Sequence, residues 1–382
     1  MASETIPPSF AAPAAPGSPA SPFASAQRVL HDAIAARAFP GCAYGVFANG
    51  RVVLEDALGT FTYDEPSLPV TSHTLYDVAS LTKVAATTAA AMLLHQRGLL
   101  DLDTPLGDLL PGFIIGRPAG TQARHVRVRH LLAHNSGLPS YVEFFKTHAN
   151  ATGLLRACLE LPLEAAPGER AEYSDPGFIL LGKALEVILR EPLCAFLHRE
   201  LYHPLGMHHT RFNPGITQRL AIPPTEDDIA FRHRIIQGEV QDENAWLLGG
   251  AAGHAGLFSN VHDLLRLSEA ILASAGHPLA PASRKVFDAP TVELFATRQE
   301  PANSSRALGW DTPSATGSSS GSHFSPHSIG HLGYSGCSLW IDLDEAIAVV
   351  LLTNRTWPDR QSQRIRDVRP AFHDAIREAL TQ

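Results

Sequence analysis

The chain has 382 residues, of which 45% are hydrophobic and 18% charged, enough apolar material for one large catalytic unit or two modest domains. Its formal net charge of −8 gives no indication of the basic face that nucleic-acid binding requires, so we expect no nucleic-acid partner. No run of about eighteen apolar residues occurs, so no membrane span is predicted.

The first 24 residues, 1–24, are rich in proline, alanine and serine, which predicts a disordered leader. They contain neither the basic start nor the uninterrupted apolar core of a secretory signal peptide. The sequence therefore favours a cytoplasmic location. The remaining residues, 25–382, are expected to form a single domain.

A helix and a hairpin are predicted at the start of this domain. Ser25 is expected to cap a helix over residues 26–38. Strand-like runs over 42–47 and 51–58 flank Asn49-Gly50, a dipeptide that is the strongest short hairpin signal.

Lys83 lies three residues after Ser80 and is one of only four lysines in the chain. An arginine stays protonated in a protein, whereas a desolvated lysine can lose its proton and act as a base. The run over 84–97 is apolar on nearly every face, which predicts a buried helix. Residues three apart on a helix are neighbours, so the pattern suits a nucleophilic serine with an adjacent base.

Two further segments corroborate S-x-x-K, which is a weak motif on its own. Tyr173 follows a Pro-Gly-Glu turn and precedes the apolar run 178–181, so we expect it in a loop that enters a helix. Downstream, His331-Leu332-Gly333 is expected to open a strand over 331–341.

A second hairpin and a helix are predicted near the C-terminus. Strands over 335–341 and 346–353 flank a turn at 342–345, and a helix follows over about 371–380. The simplest arrangement pairs the two hairpins in one antiparallel sheet flanked by the two terminal helices. Residues from about 80 to 300 would form a helical lobe, with a site in the cleft between the two parts.

Taken in chain order, Ser80 with Lys83, then Tyr173, then His331-Leu332-Gly333 resemble the serine β-lactamase and DD-peptidase superfamily, specifically its class C-like branch. Three further stretches are similar to the same branch, at 130–139, 253–259 and 351–355. The resemblance runs from about residue 25 to the C-terminus. It looks closest to penicillin-binding-protein-like serine hydrolases described as D-alanyl-D-alanine carboxypeptidases.

The resemblance implies an α+β, β-lactamase/transpeptidase-like fold, with an antiparallel sheet flanked by terminal helices plus a mainly helical lobe. We therefore expect the catalytic domain, 25–382, to divide into a sheet lobe over 25–78 and 305–382 and a helical lobe over 79–304.

The resemblance also implies roles for individual residues. Ser80 is the acylated nucleophile, Lys83 helps to deprotonate it, and Tyr173 exchanges protons with the nucleophile and the leaving group. Which of Lys83 and Tyr173 takes the first proton is left open. The oxyanion hole and substrate-binding positions fall on the backbone N–H groups of Ser80 and Tyr334, and on Asp175, His331 and Gly333.

Three positions depart from the branch. Asp175 stands where Asn is usual, so it would either favour a charged Lys83 and weaken that base or simply cap the following helix. Leu332 replaces the usual Thr and removes a hydroxyl that in relatives helps to bind the substrate carboxylate. His331, unlike the commoner Lys, is only partly protonated at neutral pH. These departures favour ester or amide substrates without that carboxylate.

The sequence thus predicts a serine hydrolase that needs no cofactor, forms an acyl-enzyme at Ser80 and acts on peptide or amide substrates, most like a D-alanyl-D-alanine carboxypeptidase. Carboxylesterase or class C-like β-lactamase activity is the alternative within the same chemistry, and a non-catalytic binding protein is the second alternative. The expected partner is a small-molecule or peptide substrate. No metal is expected, because the histidines lack a zinc-site spacing such as H-E-x-x-H. The oligomeric state stays open.

Overall fold

One antiparallel sheet, built from strands at both ends of the chain, organises the fold. The computed structural model describes residues 21–279 and 284–381. Of the predicted leader, residues 1–20 lie outside the described residues. No helix in the described ranges is long and apolar enough to cross a membrane.

The strands form one large sheet and two small ones. The large sheet has the order β2-β1-β10-β9-β8, and the small sheets have the orders β3-β7-β4 and β5-β6. The strand bounds are β1 Gly41–Ala48, β2 Arg51–Gly59, β3 Tyr76–Asp77, β4 Arg211–Phe212, β5 Pro224–Asp228, β6 Arg234–Gln237, β7 Leu257–Ser259, β8 Ser328–Leu332, β9 Ser338–Asp342 and β10 Ile347–Thr353.

Most of the helices lie, in the sequence, between strands β1–β2 and strands β8–β10 of the large sheet. The α-helices are α1 Ala24–Ala35, α2 Ala89–Gln96, α3 Leu106–Leu109, α4 Val128–Leu132, α5 Ala151–Glu160, α6 Asp175–Leu189, α7 Leu193–Leu197, α8 His203–Leu205, α9 Glu243–Leu247, α10 Val261–Ser274, α11 Ala289–Ala296 and α12 Ile365–Thr381. The π-helical segments are Lys83–Thr88 and His198–Tyr202, and the 3₁₀ segments are Pro111–Phe113, Gln122–His125, Phe144–Lys146 and Ile216–Ala221.

The predicted pairing of the N-terminal and C-terminal hairpins is confirmed. Strand β1 pairs antiparallel with β10, with Cys42 opposite Thr353. The β1–β2 turn places Asn49 at φ 53° and Gly50 at φ 74°, which is the left-handed backbone that a two-residue hairpin needs. The α+β architecture predicted from the sequence is therefore correct, whereas the lobe boundaries at 78/79 and 304/305 stay a prediction.

The large sheet is covered on both faces, which explains why every residue of β1 is buried. Helices α1 and α12 pack together on one face, where Tyr44 meets Phe372 edge to face with ring centroids 5.7 Å apart. Helix α10 packs on the opposite face, in the larger core that continues into the helical region. The terminal helices therefore flank the sheet as expected, on the side away from α10.

The bounds of both terminal helices differ from the prediction. Helix α1 begins at Ala24, and Ser25 lies inside its first turn, so Ser25 is not the cap. The helix ends before Ala38 because Arg37 takes φ 56° and reverses the chain. Helix α12 starts at Ile365 and continues through Pro370. Pro370 cannot donate a backbone hydrogen bond, but the burial of Ile365 and Arg369 outweighs this loss.

The strand predicted over 331–341 is also wrong. His331 and Leu332 end β8, and the chain then reverses through a tight turn before β9 begins at Ser338. The Gly336 N–H donates to the Gly333 carbonyl over 3.0 Å, and Gly336 takes φ 101°. Glycine at this position permits a conformation that a side chain would strain, so one predicted strand becomes two strands of a hairpin.

A close backbone approach brings the loop before β7 against α6. A Cβ atom built on Gly253 would lie 2.2 Å from the Phe178 carbonyl oxygen and 2.9 Å from Gly182 Cα. Thr87 Oγ1 also donates to the Gly253 carbonyl over 2.6 Å. The loop is thus fixed by contacts that exclude a side chain at position 253.

We expect Gly253→Ala to lower the free energy of unfolding by about 1–3 kcal/mol, since overpacking a rigid contact forces backbone shifts. Urea denaturation measures the change. Gly120→Ala is the matched control, because a Cβ there meets no atom within 4 Å, and its effect is expected to stay within about 0.5 kcal/mol. Equal losses in the two variants would contradict the close-contact argument.

Candidate active site

Ser80 lies in a strained turn at the end of β3. Ala79 precedes it with φ 48°, a left-handed conformation that a non-glycine residue adopts only when its surroundings enforce it. Asp77 enforces it by accepting the Ala79 N–H over 2.8 Å and the Gln241 N–H over 2.7 Å. Burial raises the pKa of Asp77 to about 6. Sequence reasoning missed Asp77, which holds the turn at Ser80 to the segment before α9.

Lys83 opens the π-helical segment and is fully buried. Its Nζ donates to three acceptors: Ser80 Oγ at 3.2 Å, Asp175 Oδ1 at 2.6 Å and the His254 carbonyl at 3.0 Å. Short π-helical turns occur frequently at functional sites. The predicted meeting of the serine hydroxyl and the lysine amine is present in the structure.

Tyr173 reaches Ser80 from the loop that enters α6. Its hydroxyl donates to Ser80 Oγ over 2.7 Å, and its ring lies against His134, with centroids 4.8 Å apart. The N-cap of α6 is Ser174, whose Oγ accepts the Gly177 N–H over 3.1 Å. Asp175 is therefore not the capping residue, and its carboxylate is free to pair with Lys83.

The electrostatics favour a charged lysine and an uncharged tyrosine in the resting site. Burial alone would lower the pKa of Lys83, but the charge of Asp175 and the contacts with Tyr173 raise it above its ordinary value. Burial and Asp175 also raise the pKa of Tyr173, against the opposing effect of Lys83. Of the two readings of Asp175, the structure supports the one in which it stabilises the ammonium form of Lys83.

His331 is buried at the end of β8 beside Tyr173, with ring centroids 6.1 Å apart. Its Nδ1 donates to the Leu332 carbonyl over 2.8 Å, and Nε2 has no partner among the described residues. Burial, assisted by Lys83 and Arg306, lowers the pKa of His331 well below its ordinary value. The expectation of partial protonation at neutral pH is thus wrong, because burial and two nearby cations keep the imidazole neutral.

Gly333 and Tyr334 lie in the turn between β8 and β9, beside the nucleophile's turn. A Cβ on Gly333 would lie 2.5 Å from the Val78 carbonyl oxygen, so glycine permits the two turns to approach. Within the described ranges, the backbone N–H groups of Ser80 and Tyr334 donate to no protein acceptor. Free N–H groups beside a nucleophile are what an oxyanion hole requires.

The predicted site residues other than Lys83 border one cavity of about 850 Å³. Its wall includes Ser80, Tyr173, Asp175, His331, Gly333 and Tyr334, while Lys83 lies buried behind Ser80.

Several residues of the wall were not assigned site roles from the sequence, among them Asp242, His254, Arg306 and Arg369. His254 Nε2 donates to Asp242 Oδ1 over 2.9 Å, so this pair anchors the loop whose carbonyl accepts from Lys83. Their positions follow from tertiary contacts that no local motif encodes.

We expect Asp175→Asn to shift the pH dependence of Ser80 reactivity to lower pH. Asp175 raises the pKa of both Lys83 and Tyr173, so removing its charge lowers both values, and the proton-accepting form is reached sooner as pH rises. The rate of Ser80 labelling by a fluorophosphonate, measured across pH, tests this.

Asp227→Asn is the matched control for that experiment, because Asp227 lies on the same cavity wall but is exposed and makes no side-chain hydrogen bond to the described residues. An unchanged profile in Asp175→Asn, or an equal shift in both variants, would contradict the role of Asp175.

Comparisons with known proteins agree with this geometry. A family model described as Beta-lactamase matches residues 26–371. A relative from Salmonella typhimurium, named "Putative D-alanyl-D-alanine carboxypeptidase", is 33% identical over 318 residues, which cover 75% of this chain and 70% of that protein.

Solved structures share the fold at lower identity. EstCE1, described as a hydrolase with promiscuous acyltransferase activity, superimposes with a TM-score of 0.73 at 22% identity, covering 93% of this chain and 98% of EstCE1. The octameric penicillin-binding protein homologue from Pyrococcus abyssi gives 0.66 at 21% identity, covering 86% and 72%.

These matches favour an enzyme over the non-catalytic binding protein that the sequence left as an alternative. The family match spans most of the chain and includes the Ser80, Lys83 and Tyr173 positions. The chain belongs to the β-lactamase family and is a serine hydrolase of the β-lactamase/DD-peptidase type.

Proposed function

We propose that this chain hydrolyses peptides that end in a D-amino acid, as a carboxypeptidase that forms an acyl-enzyme on Ser80. The observation that carries the proposal is the double hydrogen bonding of Ser80 Oγ, to Lys83 Nζ at 3.2 Å and to the Tyr173 hydroxyl at 2.7 Å. A serine with two proton-exchanging neighbours is suited to nucleophilic catalysis. The name of the Salmonella relative supports this substrate class.

The resting pair, an ammonium Lys83 with a neutral Tyr173, first releases one proton to solvent. In the first half of the reaction, Ser80 Oγ then attacks the carbonyl carbon of the scissile amide and gives its proton to the deprotonated Lys83–Tyr173 pair. In its ammonium form, Lys83 donates one N–H to each of its three acceptors, Ser80 Oγ, Asp175 Oδ1 and the His254 carbonyl. A neutral Lys83 would keep two N–H bonds for Asp175 and the His254 carbonyl and direct its lone pair at Ser80. The same contacts therefore accommodate both protonation states, and we assign the transferred proton to the pair as a unit.

The negative charge that develops on the carbonyl oxygen would be stabilised by the N–H groups of Ser80 and Tyr334. The Lys83–Tyr173 pair then returns the proton to the leaving amine as the C–N bond breaks. Water enters the emptied leaving-group side of the cavity, gives a proton to the same pair and attacks the acyl carbon. The bond from that carbon to Ser80 Oγ then breaks, and the pair returns the proton to Ser80. The cavity of about 850 Å³ is large enough for a peptide of several residues.

Arg306 supports a substrate with a free carboxylate. Its guanidinium lies 5.5 Å from the centre of the Tyr173 ring and on the cavity wall. Its nearest carboxylate oxygen, on Asp311, is 3.6 Å away, beyond ordinary hydrogen-bond distance. Within the described part of the chain, the Arg306 guanidinium donates to no protein acceptor, and we assign it the carboxylate contact that Leu332 cannot supply.

Carboxylesterase activity is the second candidate, and Leu332 favours it because no hydroxyl stands at that position for a substrate carboxylate. EstCE1 shares the fold and is described as a hydrolase with promiscuous acyltransferase activity. The two candidates share the nucleophile and differ in whether the cavity recognises a negative charge.

The nucleophile is tested with Ser80→Ala. We expect the variant to lose covalent labelling by a fluorophosphonate or a fluorescent β-lactam, because no acyl acceptor remains at the site. Intact-protein mass spectrometry and gel fluorescence measure the adduct. Labelling that survives this substitution would contradict the proposal. Thermal melting of the variant is the control for folding.

The carboxylate contact is tested with Arg306→Gln, by comparing an N-acyl-D-alanyl-D-alanine peptide with its C-terminal amide. We expect the native enzyme to favour the free acid and the variant to lose about tenfold or more of that preference in kcat/KM, since a charged hydrogen bond contributes roughly 1.5–3 kcal/mol.

Arg298→Gln is the matched control, because Arg298 lies earlier on the same segment and bonds to Thr312 and Pro313 rather than to the cavity. A native enzyme that prefers uncharged esters to both peptides would favour the carboxylesterase candidate instead.

A further inference from the structure

Arg369 is a buried cation that the reaction described above does not use. It lies on α12, 7% exposed, and borders the cavity. Among the described residues no carboxylate pairs with it, and burial lowers its pKa to about 10, which leaves it charged at neutral pH. Burying an unpaired charge costs free energy, so the contacts that stabilise the Arg369 guanidinium indicate that it has a function.

Those contacts are all with one turn. Arg369 Nη2 donates to the Gly333 carbonyl over 2.7 Å and to the Cys337 carbonyl over 2.8 Å, and Nε donates to the Gly336 carbonyl over 3.2 Å. The guanidinium therefore holds three carbonyl groups of the segment between β8 and β9.

The first of these bonds, together with the Gly336 N–H that donates to the same Gly333 carbonyl over 3.0 Å, holds the orientation of a neighbouring donor. The Gly333 carbonyl and the Tyr334 N–H belong to the same peptide group, which is planar and trans, so they point in opposite directions. With the carbonyl held toward Arg369, the Tyr334 N–H points away from it, and this N–H has no acceptor among the described residues. The positive charge on the carbonyl side also polarises the peptide and strengthens the N–H as a donor.

The opposite side of Tyr334 is anchored in a similar way. Arg355 Nε donates to the Tyr334 carbonyl over 2.7 Å, and its guanidinium stacks 4.4 Å from the centre of the Tyr334 ring. Both peptide groups that flank the Tyr334 Cα are thus held by arginines. The turn has little freedom to redirect its N–H.

We propose that Arg369 is a positioning residue for the oxyanion hole: it orients and polarises the Gly333–Tyr334 peptide so that the Tyr334 N–H meets the charge that develops on the substrate carbonyl oxygen. The inference rests on the proposed acyl-enzyme reaction at Ser80. It assigns a function to the C-terminal helix, which otherwise covers the back of the sheet.

Arg377 provides a matched control on the same helix. It is 8% exposed, donates to the His323 carbonyl over 3.1 Å and lies 3.6 Å from Asp342. It contacts neither the turn nor the cavity wall in the described part of the chain. Substitutions at Arg377 therefore report what loss of a buried arginine from α12 does to stability alone.

The experiment compares Arg369→Lys and Arg369→Met with Arg377→Lys and Arg377→Met, using the turnover of a p-nitrophenyl ester. Outright loss of an oxyanion donor costs about 10²–10³ in kcat. In the Arg369 variants the Tyr334 N–H is still present but no longer held in its orientation, so we expect kcat to fall by about 10- to 100-fold. We expect KM to stay within about twofold of the native value, since the interaction acts only in the transition state. The Arg377 variants are expected to keep native kcat.

A second readout separates positioning from general damage. Thionoesters place sulfur, a weak hydrogen-bond acceptor, where the oxyanion forms, so they depend less on the N–H donors. The ester-to-thionoester rate ratio is expected to fall in the Arg369 variants and to stay native in the Arg377 variants. Rates are expressed per Ser80 titrated by fluorophosphonate, so a partly unfolded preparation still yields a value.

Native kcat in titrated Arg369→Lys and Arg369→Met, or a loss with an unchanged rate ratio, would overturn the assignment. Failure of the proposed function is distinct: Ser80→Ala would then retain ester turnover. Loss of turnover in Ser80→Ala together with native Arg369 variants would reject only the role of Arg369.

Discussion

Lys83 Nζ is out of contact with solvent, and each of its three hydrogen bonds ends on a different part of the chain: Ser80, Asp175 and the His254 carbonyl. A buried ammonium is tolerated only when its donors are satisfied. The Lys83 donors are all satisfied only when three segments meet: the turn at Ser80, the start of α6 and the glycine-rich loop before β7. The glycine contact at 253 and the capping of α6 by Ser174 are conditions for that convergence.

Lys83 and Arg369 are buried cations beside the proposed reacting centre, and they differ in their chemistry. Lys83 has a carboxylate partner and a proton that can be exchanged, so its charge can change during a reaction. Among the described residues Arg369 donates only to carbonyl groups, and it stays charged, so it supplies a constant field along one peptide group. Neutral His331 lies beside Tyr173 near this pair. The proposed site therefore combines an exchangeable proton on Lys83 with a Gly333–Tyr334 peptide dipole whose orientation is fixed.

Local signals carried much of the sequence prediction. Asn49-Gly50 located the first hairpin, and the apolar run after Lys83 located a buried helix, because turn chemistry and periodicity act over a few residues. Ser80, Lys83 and Tyr173, to which we assign proton exchange, were selected by motif order. The roles proposed for Arg306 and Arg369 could not be inferred in this way, since each depends on contacts with residues distant in the sequence. The strand predicted over 331–341 failed because β-propensity does not register a reversal at two glycines.

The sheet joins the beginning of the polypeptide to its end, since Cys42 on β1 stands opposite Thr353 on β10. During translation, Ser80 and Lys83 leave the ribosome long before the turn at Tyr334 and the helix that carries Arg369. Until β10 has been synthesised, the edge of β1 that pairs with it has no partner. If Tyr334 and Arg369 have the roles proposed above, the site is complete only once the final helix has been made.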